Sequence, residues 1–142
     1  MINLQKHDCK TELRHVDLRA TPARLGILAA LEQTKKPLDV SDLINYLKNH
    51  QIKADKVTVF RIVNALTNKG ITIPVQLNEG KFRYEHITKA NHHHFVCENC
   101  GVIEDISDCN IEVLEKNLSK KKGLLVKRHS LEFFGLCQKC QH

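Results

Sequence analysis

The sequence contains no tryptophan and one methionine, and aromatic residues make up only 5% of its 142 residues. No apolar run approaches the ~20 residues of a membrane-spanning helix, and the segment after Met1 lacks the hydrophobic stretch of a signal peptide. We therefore expect a cytoplasmic protein with no membrane partner. Because cytoplasmic thiols stay reduced, its six cysteines are expected to bind metal rather than to form disulfides.

Motifs of the common enzyme classes are also missing. The sequence contains no HExxH, no GxSxG and no phosphate-binding glycine loop, which mark metalloproteases, serine hydrolases and nucleotide-binding enzymes. A zinc deaminase needs H-x-E before P-C-x-x-C, and a thioredoxin-like protein needs a βαβ pattern around its CxxC; neither pattern is present. We therefore predict that the chain is not an enzyme and has no small-molecule substrate.

The positive charge is concentrated in the first half of the chain. The net charge is +6, and residues 1–75 contain 12 Lys and Arg against 7 Asp and Glu. Residues 76–142 contain 10 against 9, but they hold five of the six cysteines and six of the nine histidines. Basic modules commonly bind polyanions, although a solvated basic surface has the same composition. We expect two small modules, the second rich in metal ligands.

Three short amphipathic helices are predicted in the first half. Thr21, Asp39 and Asp55 each stand where an N-cap is expected, directly before apolar residues at helical spacing. Alternation over 71–77 and turn residues at 78–80 then predict a β-hairpin. A trihelical unit followed by a hairpin is the winged-helix arrangement, in which one helix enters the DNA major groove.

The remaining elements are predicted from shorter patterns. A weak apolar pattern favours a helix over 3–17. In the second half the patterns predict strands at 94–97, 102–106 and 124–134 and a helix at 109–122. We therefore predict an α+β fold, with a winged-helix domain over 1–85, a hinge over 86–91 and a small α/β domain over 92–142.

Two CxxC pairs carry the strongest chemical signal in the sequence, Cys97-x-x-Cys100 and Cys137-x-x-Cys140. Each pair presents two thiolates from one tight turn, and two such turns complete a tetrahedral Zn²⁺ site. All four positions are then closed to substrate, so the predicted role of the zinc is structural. Redox-active dithiols or buried thiols are the alternative.

A run of three histidines, His92-His93-His94, is the second signal. On an extended segment His92 and His94 face one side and His93 faces the other, so the run can serve two metal sites. Further ligand types close by in the sequence are Glu85, Asp105, Glu112 and His129. Mixed histidine and carboxylate ligation suits Fe²⁺, Mn²⁺ or Zn²⁺. A polar, histidine-rich loop is the alternative.

The third predicted helix has a polar face opposite its apolar stripe. This face is made of residue types that contact base edges and phosphates: Lys56, Thr58, Arg61, Asn64 and Asn68. A plain solvated helix face has the same appearance. Lys81 and Arg83 in the following hairpin favour the DNA-binding interpretation.

Several of these segments together resemble the ferric uptake regulator (Fur) family. They run in order from about residue 15 to Cys140, and the histidine run that leads into CxxCG is the most specific of them. The matching segments are Arg19-Ala-Thr-Pro-Ala-Arg24, Asp55-Lys-Val-Thr-Val-Phe-Arg61, Phe82-Arg-Tyr-Glu85, His92-His-His-Phe-Val-Cys-Glu-Asn-Cys-Gly101, His129-Ser-Leu and Gly135-Leu-Cys137.

The resemblance implies a homodimeric, metal-responsive transcription regulator that binds a double-stranded DNA operator, and it favours a repressor. The second domain would then be the dimerisation domain, with the cysteine pairs as its structural zinc site. The ligands implied for a regulatory Fe²⁺, Mn²⁺ or Zn²⁺ are Glu85, His92, His94 and Asp105. A further metal site is implied at His93, Glu112 and His129. The residues expected to contact DNA are Arg19, Lys56, Thr58, Arg61 and Asn64.

The sequence departs from the family pattern at two places. Phe60 replaces a tyrosine in the recognition helix, which removes one hydroxyl. Near Pro37 the chain lacks the histidine by which many members link the DNA-binding domain to the sensor metal; the candidate substitutes are His7, Cys9, His15 and Asp39. Glu85 favours an iron-responsive member. A peroxide- or zinc-sensing member, or a zinc-stabilised metal carrier or interaction protein that binds no DNA, remains the alternative.

Overall fold

A computed structural model describes residues 8–89, 92–107 and 109–142. The chain divides into two compact units, Met1–Ala90 and Asn91–His142, which we call the first and the second unit. Helices and strands occur in both units, so the α+β class is confirmed. The boundary between the units falls within the segment predicted as a hinge.

Residues 8–89 of the first unit form four α-helices and a hairpin. Its elements are α1 (Cys9–His15), α2 (Pro22–Gln33), α3 (Val40–Asn49), α4 (Lys56–Asn68), β1 (Thr72–Gln76) and β2 (Phe82–His86), followed by a 3₁₀ turn at Ile87–Lys89. The predicted helix over 3–17 lies only partly within the described residues, which begin at residue 8. In that part the structure has helix α1.

Each predicted N-cap is confirmed, because the side chains of Thr21, Asp39 and Asp55 accept hydrogen bonds from the third backbone N–H beyond them. The three helices bury one continuous apolar core. Its largest fully buried members include Ile27, Leu28, Leu31, Leu43, Leu47, Val59, Val63 and Leu66. Burial of such side chains is the main stabilising contribution to the unit.

The hairpin that follows α4 completes the predicted winged-helix arrangement. β1 and β2 pair antiparallel from Thr72↔His86 to Gln76↔Phe82. Asn78 and Gly80 have φ values of +61° and +74°, the left-handed conformation that tight turns require. Tyr84 also bridges to Leu38 in the α2–α3 loop, which fixes the hairpin against the helices.

Asp39 makes the most extensive helix cap in the first unit. It accepts a hydrogen bond of 2.7 Å from Asp42 N–H, while the Asp42 carboxylate accepts one of 3.1 Å from Asp39 N–H. Lys81 Nζ lies 2.5 Å from Asp39 Oδ2. Burial acts to raise the pKa of Asp39, but the hydrogen bonds from Lys81 and Asp42 outweigh it and leave that pKa lowered.

Replacing Asp39 by alanine is expected to destabilise the chain by about 1–2 kcal/mol, because the amino-terminal N–H groups of α3 lose their acceptor. Urea unfolding followed by circular dichroism measures the change. Asp39→Asn is the matched control: it removes the charge next to Lys81 but keeps the capping oxygen, and it should lose less. Equal stability of the alanine variant and the unsubstituted chain would contradict this role of the cap.

The second unit is a three-stranded sheet with one helix. Its central strand is β3 (His93–Cys97), which pairs antiparallel with β4 (Ile103–Ile106) and parallel with β5 (Glu132–Gly135); α5 (Ile111–Lys122) connects the outer strands. The predicted long strand at 124–134 is wrong in length. β5 pairs with β3 only from His94↔Glu132 to Cys97↔Gly135, so residues 124–131 have no strand alongside them.

The second unit has a slight hydrophobic core. Among the described residues, Cys97 is the only buried hydrophobic side chain that this unit contributes. Many of its apolar side chains are exposed instead: Val102, Val113, Leu114, Leu124, Leu125, Phe133, Phe134 and Leu136. Within the described ranges of the whole chain, no helix has both the length and the apolar character needed to cross a membrane.

Candidate metal centres and DNA-facing helix

The four predicted zinc ligands come together in the second unit. Their sulfur atoms all lie within 4.8 Å of one another, and Cys100 Sγ is 3.7 Å from Cys137 Sγ. A tetrahedral zinc ion with Zn–S bonds of 2.3 Å places its sulfurs about 3.8 Å apart, whereas a disulfide requires about 2.05 Å. All four thiols are free, and the spacing of this cysteine cluster fits a zinc ion.

Backbone N–H groups donate hydrogen bonds to the cysteine cluster and favour the thiolate form that binds metal. Cys97 Sγ accepts hydrogen bonds from the N–H groups of Cys100, at 3.5 Å, and Cys137, at 3.4 Å. These donors lower the pKa of Cys97 to about 6, so the thiolate, which is the zinc-binding form, predominates at neutral pH. Gly101 closes the turn at φ +76°, where a side chain would be strained.

On one face of β3, His92 and His94 lie beside a carboxylate. Their Nε2 atoms are 3.9 and 3.8 Å from Asp105 Oδ1. His94 and Asp105 are register partners on β3 and β4, and the side chain of His94 is almost fully buried. Glu85, the fourth predicted regulatory ligand, lies in the first unit, where it is buried on β2. Its participation with the second-unit ligands stays a prediction.

The opposite face of β3 carries a second histidine pair. His93 Nε2 is 2.8 Å from His129 Nε2, and His129 Nδ1 is 2.6 Å from Glu115 Oε1. Burial and the neighbouring His129 lower the pKa of His93, and its buried Nδ1 has no hydrogen-bond partner among the described residues. A neutral imidazole with an unsatisfied nitrogen can bind a metal ion.

In the structure, His129 contacts the carboxylate of Glu115, and the role of Glu112 as a metal ligand stays a prediction. Glu112 is exposed in the first turn of α5. Residues three apart lie on neighbouring positions of a helix surface, so the spacing in the sequence was compatible with either glutamate.

The polar face of α4 is solvent-exposed at Lys56, Thr58 and Arg61 and half-buried at Asn64. Phe60 on the same helix is 51% exposed. Arg19, the remaining predicted DNA contact, is exposed in the α1–α2 loop. These placements leave the predicted DNA contacts accessible on the first unit.

The two hairpin cations contribute less to that surface than the sequence suggested. Arg83 donates hydrogen bonds of 2.8 and 2.9 Å to Glu79, and this hydrogen bonding lowers the pKa of Glu79. Lys81 pairs with Asp39. Both cations are therefore largely neutralised within the first unit.

Of the four candidate substitutes for the missing histidine, two already have defined contacts. Cys9 Sγ donates to Glu32 Oε1 at 3.6 Å, and burial raises the pKa of this thiol to about 11. Asp39 caps α3, His15 is exposed, and His7 lies outside the described residues. The structure also contains a cluster that the sequence analysis missed: Glu12, Glu32 and His86.

The fold and these clusters define a class of protein, in which a winged-helix unit is joined to an α/β unit rich in metal ligands. A comparison with known families matches the ferric uptake regulator family over residues 15–134. The chain belongs to this family of metal-responsive transcription regulators, which confirms both the resemblance and the prediction that it is not an enzyme.

Individual relatives extend over nearly the whole chain. The ferric uptake regulation protein of Bordetella parapertussis is 29% identical over 133 residues, which cover 93% of this chain and 96% of that protein. The Vibrio cholerae ferric uptake regulator is similar in structure, with a TM-score of 0.78, 30% identity and coverage of 92% and 100%. The Campylobacter jejuni peroxide stress regulator has a TM-score of 0.73, 29% identity and coverage of 94% and 100%.

Proposed function

We propose that the chain is a homodimeric repressor that binds operator DNA when a regulatory metal ion, most favourably Fe²⁺, occupies its sensor site. The observation that carries this proposal is the convergence of His92 and His94 on Asp105 at the start of the second unit. The structural ion in the cysteine cluster is proposed to be Zn²⁺, because four thiolates at tetrahedral spacing suit it.

DNA binding is assigned to α4. This helix of 13 residues has an exposed polar face whose arginine can donate two parallel hydrogen bonds to a guanine edge, while lysine and threonine reach phosphates. The exposed ring of Phe60 can contact thymine methyl groups. Since the hairpin cations are paired, we assign most of the base contacts to α4 and the positioning contacts to Arg19 and Lys56.

The regulatory step follows from where the proposed ligands lie along the chain. Glu85 belongs to the first unit, whereas His92, His94 and Asp105 belong to the second. An ion held by ligands from both units selects one arrangement of the units from those otherwise accessible. In a dimer, this arrangement would place the two α4 helices at the distance that separates successive major grooves of DNA.

Dimerisation is assigned to the second unit. Most of its exposed apolar side chains lie on α5, in the segment before β5 and on β5 itself; the most exposed are Val113, Leu114 and Leu125. A monomer would leave this surface in water, whereas a symmetric dimer would bury it.

The decisive experiment measures DNA binding with and without metal. The zinc-loaded chain is offered a random duplex library at fixed salt with Fe²⁺, Mn²⁺, additional Zn²⁺ or a chelator, and selected duplexes are titrated by fluorescence anisotropy. Tight binding that requires Fe²⁺ is the expected result. Binding to no duplex under any condition would identify a metal carrier or interaction protein instead.

Arg61→Ala is expected to weaken binding to the selected duplex by about 1–3 kcal/mol, because a base contact is lost. Arg128→Ala is the matched control, since it removes an arginine of the second unit that is also exposed, and it should bind normally. Equal affinities of the two variants would exclude α4 as the helix that contacts the bases.

A peroxide-sensing function is the second candidate. Asp105 contacts both histidines, and the Campylobacter jejuni peroxide stress regulator is among the similar structures. Hydrogen peroxide would oxidise an iron-bound imidazole, adding one oxygen atom to the ring and releasing water. Mass spectrometry after Fe²⁺ and peroxide treatment distinguishes the two functions: oxygen on His92 or His94 supports peroxide sensing, and its absence supports iron sensing.

A further inference from the structure

A third group of potential metal ligands lies wholly within the first unit. Glu12 belongs to α1, Glu32 to α2, and His86 is the last residue of β2. One ligand atom from each of the three lies within 4.8 Å of the other two. We propose that this α1–α2–β2 triad binds one divalent transition-metal ion, of the Mn²⁺, Fe²⁺ or Zn²⁺ type, inside the winged-helix unit.

The distances within the triad are close to those of a coordination shell. His86 Nε2 is 2.8 Å from Glu12 Oε1 and 3.8 Å from Glu32 Oε1. Ligand atoms bound to one metal ion at 2.0–2.2 Å are about 3.0–3.5 Å apart. The Glu12 and Glu32 ligand oxygens lie within 4.8 Å of each other, so rotation of the flexible glutamate side chains can bring all three ligand atoms to one ion.

The second ring nitrogen of His86 is hydrogen-bonded to Thr88. The Thr88 backbone N–H donates to Nδ1 at 3.2 Å, and Thr88 Oγ1 lies 2.8 Å from the same atom. The ring proton of the metal-free form is therefore on Nε2, which donates to Glu12. Binding of a metal through Nε2 would move the ring proton to Nδ1, where the threonine hydroxyl can accept it while the backbone N–H loses its acceptor. Such outer contacts fix the tautomer and the ring orientation of metal-binding histidines. The proton that Nε2 shares with Glu12 in the metal-free form would be displaced.

The two carboxylates are partly exposed to solvent, whereas the imidazole is buried, so the triad can be reached from one side. The His86 side chain is fully buried, whereas those of Glu12 and Glu32 are 15% and 24% exposed. An ion can therefore enter from the carboxylate side and keep water there as a further ligand. Cys9 donates its S–H to Glu32 Oε1 and so helps to hold that carboxylate in place.

Charge also favours a cation at this position. Two carboxylates lie beside the buried imidazole, and their negative charge attracts a divalent cation. Two carboxylates and one imidazole suit first-row divalent metals such as Mn²⁺, Fe²⁺ or Zn²⁺, whereas four thiolates select zinc. The alternative is a purely structural hydrogen bond between His86 and Glu12, which ties α1 to β2.

The test counts Mn²⁺ bound by the full chain, preloaded with one equivalent of zinc and free of DNA. Electron paramagnetic resonance titration compares the unsubstituted chain with Glu12→Gln/Glu32→Gln and with His86→Gln. We expect each variant to bind one equivalent fewer. Asp17→Asn is the matched control because it removes a carboxylate of the same unit outside the triad, and its stoichiometry should be unchanged.

Unchanged stoichiometry in the folded Glu12→Gln/Glu32→Gln variant would overturn the proposal and leave the hydrogen bond as the role of His86. That double variant keeps the size of both side chains and one acceptor oxygen on each, so it provides the answer if His86→Gln fails to fold. A parallel titration of His92→Ala/His94→Ala separates this inference from the proposed function: loss of an equivalent there reports only on the sensor site.

Discussion

Replacement of Cys97 by serine is expected to abolish zinc binding and to leave the second unit without a stable fold. Structural zinc contributes about 10–16 kcal/mol of apparent binding free energy in small zinc-dependent folds at neutral pH. That is comparable with the stability of a whole domain, about 5–15 kcal/mol. The second unit has little else to hold it together, since its described residues bury no hydrophobic side chain other than Cys97 itself.

Zinc content and light scattering after gel filtration measure this effect. Cys109→Ser is the matched control, because Cys109 is a half-buried thiol of the same unit that lies outside the cysteine cluster. The control should retain one zinc per chain and the dimeric state. A Cys97→Ser chain that is dimeric, folded and free of zinc would contradict the structural role of the metal.

The double variant His92→Ala/His94→Ala is expected to lose the metal response of DNA binding. Coupling between two binding sites is typically worth about 1–3 kcal/mol, so the affinity with Fe²⁺ should fall by about 5–150-fold, to the value measured with chelator. The reason is that the variant removes both imidazoles that converge on Asp105. Fluorescence anisotropy with the selected duplex, with and without Fe²⁺, measures both affinities.

His142→Ala is a suitable control for that experiment, because it removes an exposed histidine that belongs to none of the described clusters. It should respond to Fe²⁺ as the unsubstituted chain does. Retention of full metal response by the double variant would move the sensor elsewhere in the chain, with the α1–α2–β2 triad as the next site to substitute.

Local sequence patterns predicted most of the fold because the helix caps and the tight turns depend on contacts between residues close together in the chain. Thr21, Asp39 and Asp55 are short polar side chains that bond the free N–H groups at a helix start. The cysteine cluster was also predictable, since each CxxC turn brings its own two ligands together. In all these cases the deciding contact spans three or four residues.

The features that were missed depend on contacts between distant residues. Glu12 and His86 are 74 residues apart, and no spacing rule connects them. The choice between Glu112 and Glu115 depends on how α5 is rotated relative to His129, which helical spacing leaves open. The strand predicted at 124–134 was too long because its length is limited by the strand with which it pairs. That strand is β3, which has only five residues, and β-propensity does not reveal this limit.

Strand β3 carries ligands for every metal site proposed in the second unit. His94 faces one side, His93 the other, and Cys97 ends the strand. Because side chains alternate along a strand, a slip of one residue against β5 would exchange the ligands of the two faces. A zinc ion that joined Cys97 to Cys137 would prevent this slip, since Cys137 follows the residue paired with Cys97 by two positions. In the proposed function, the closed zinc site would thus fix the strand register, and correct metal sensing would depend on an ion that takes no part in it.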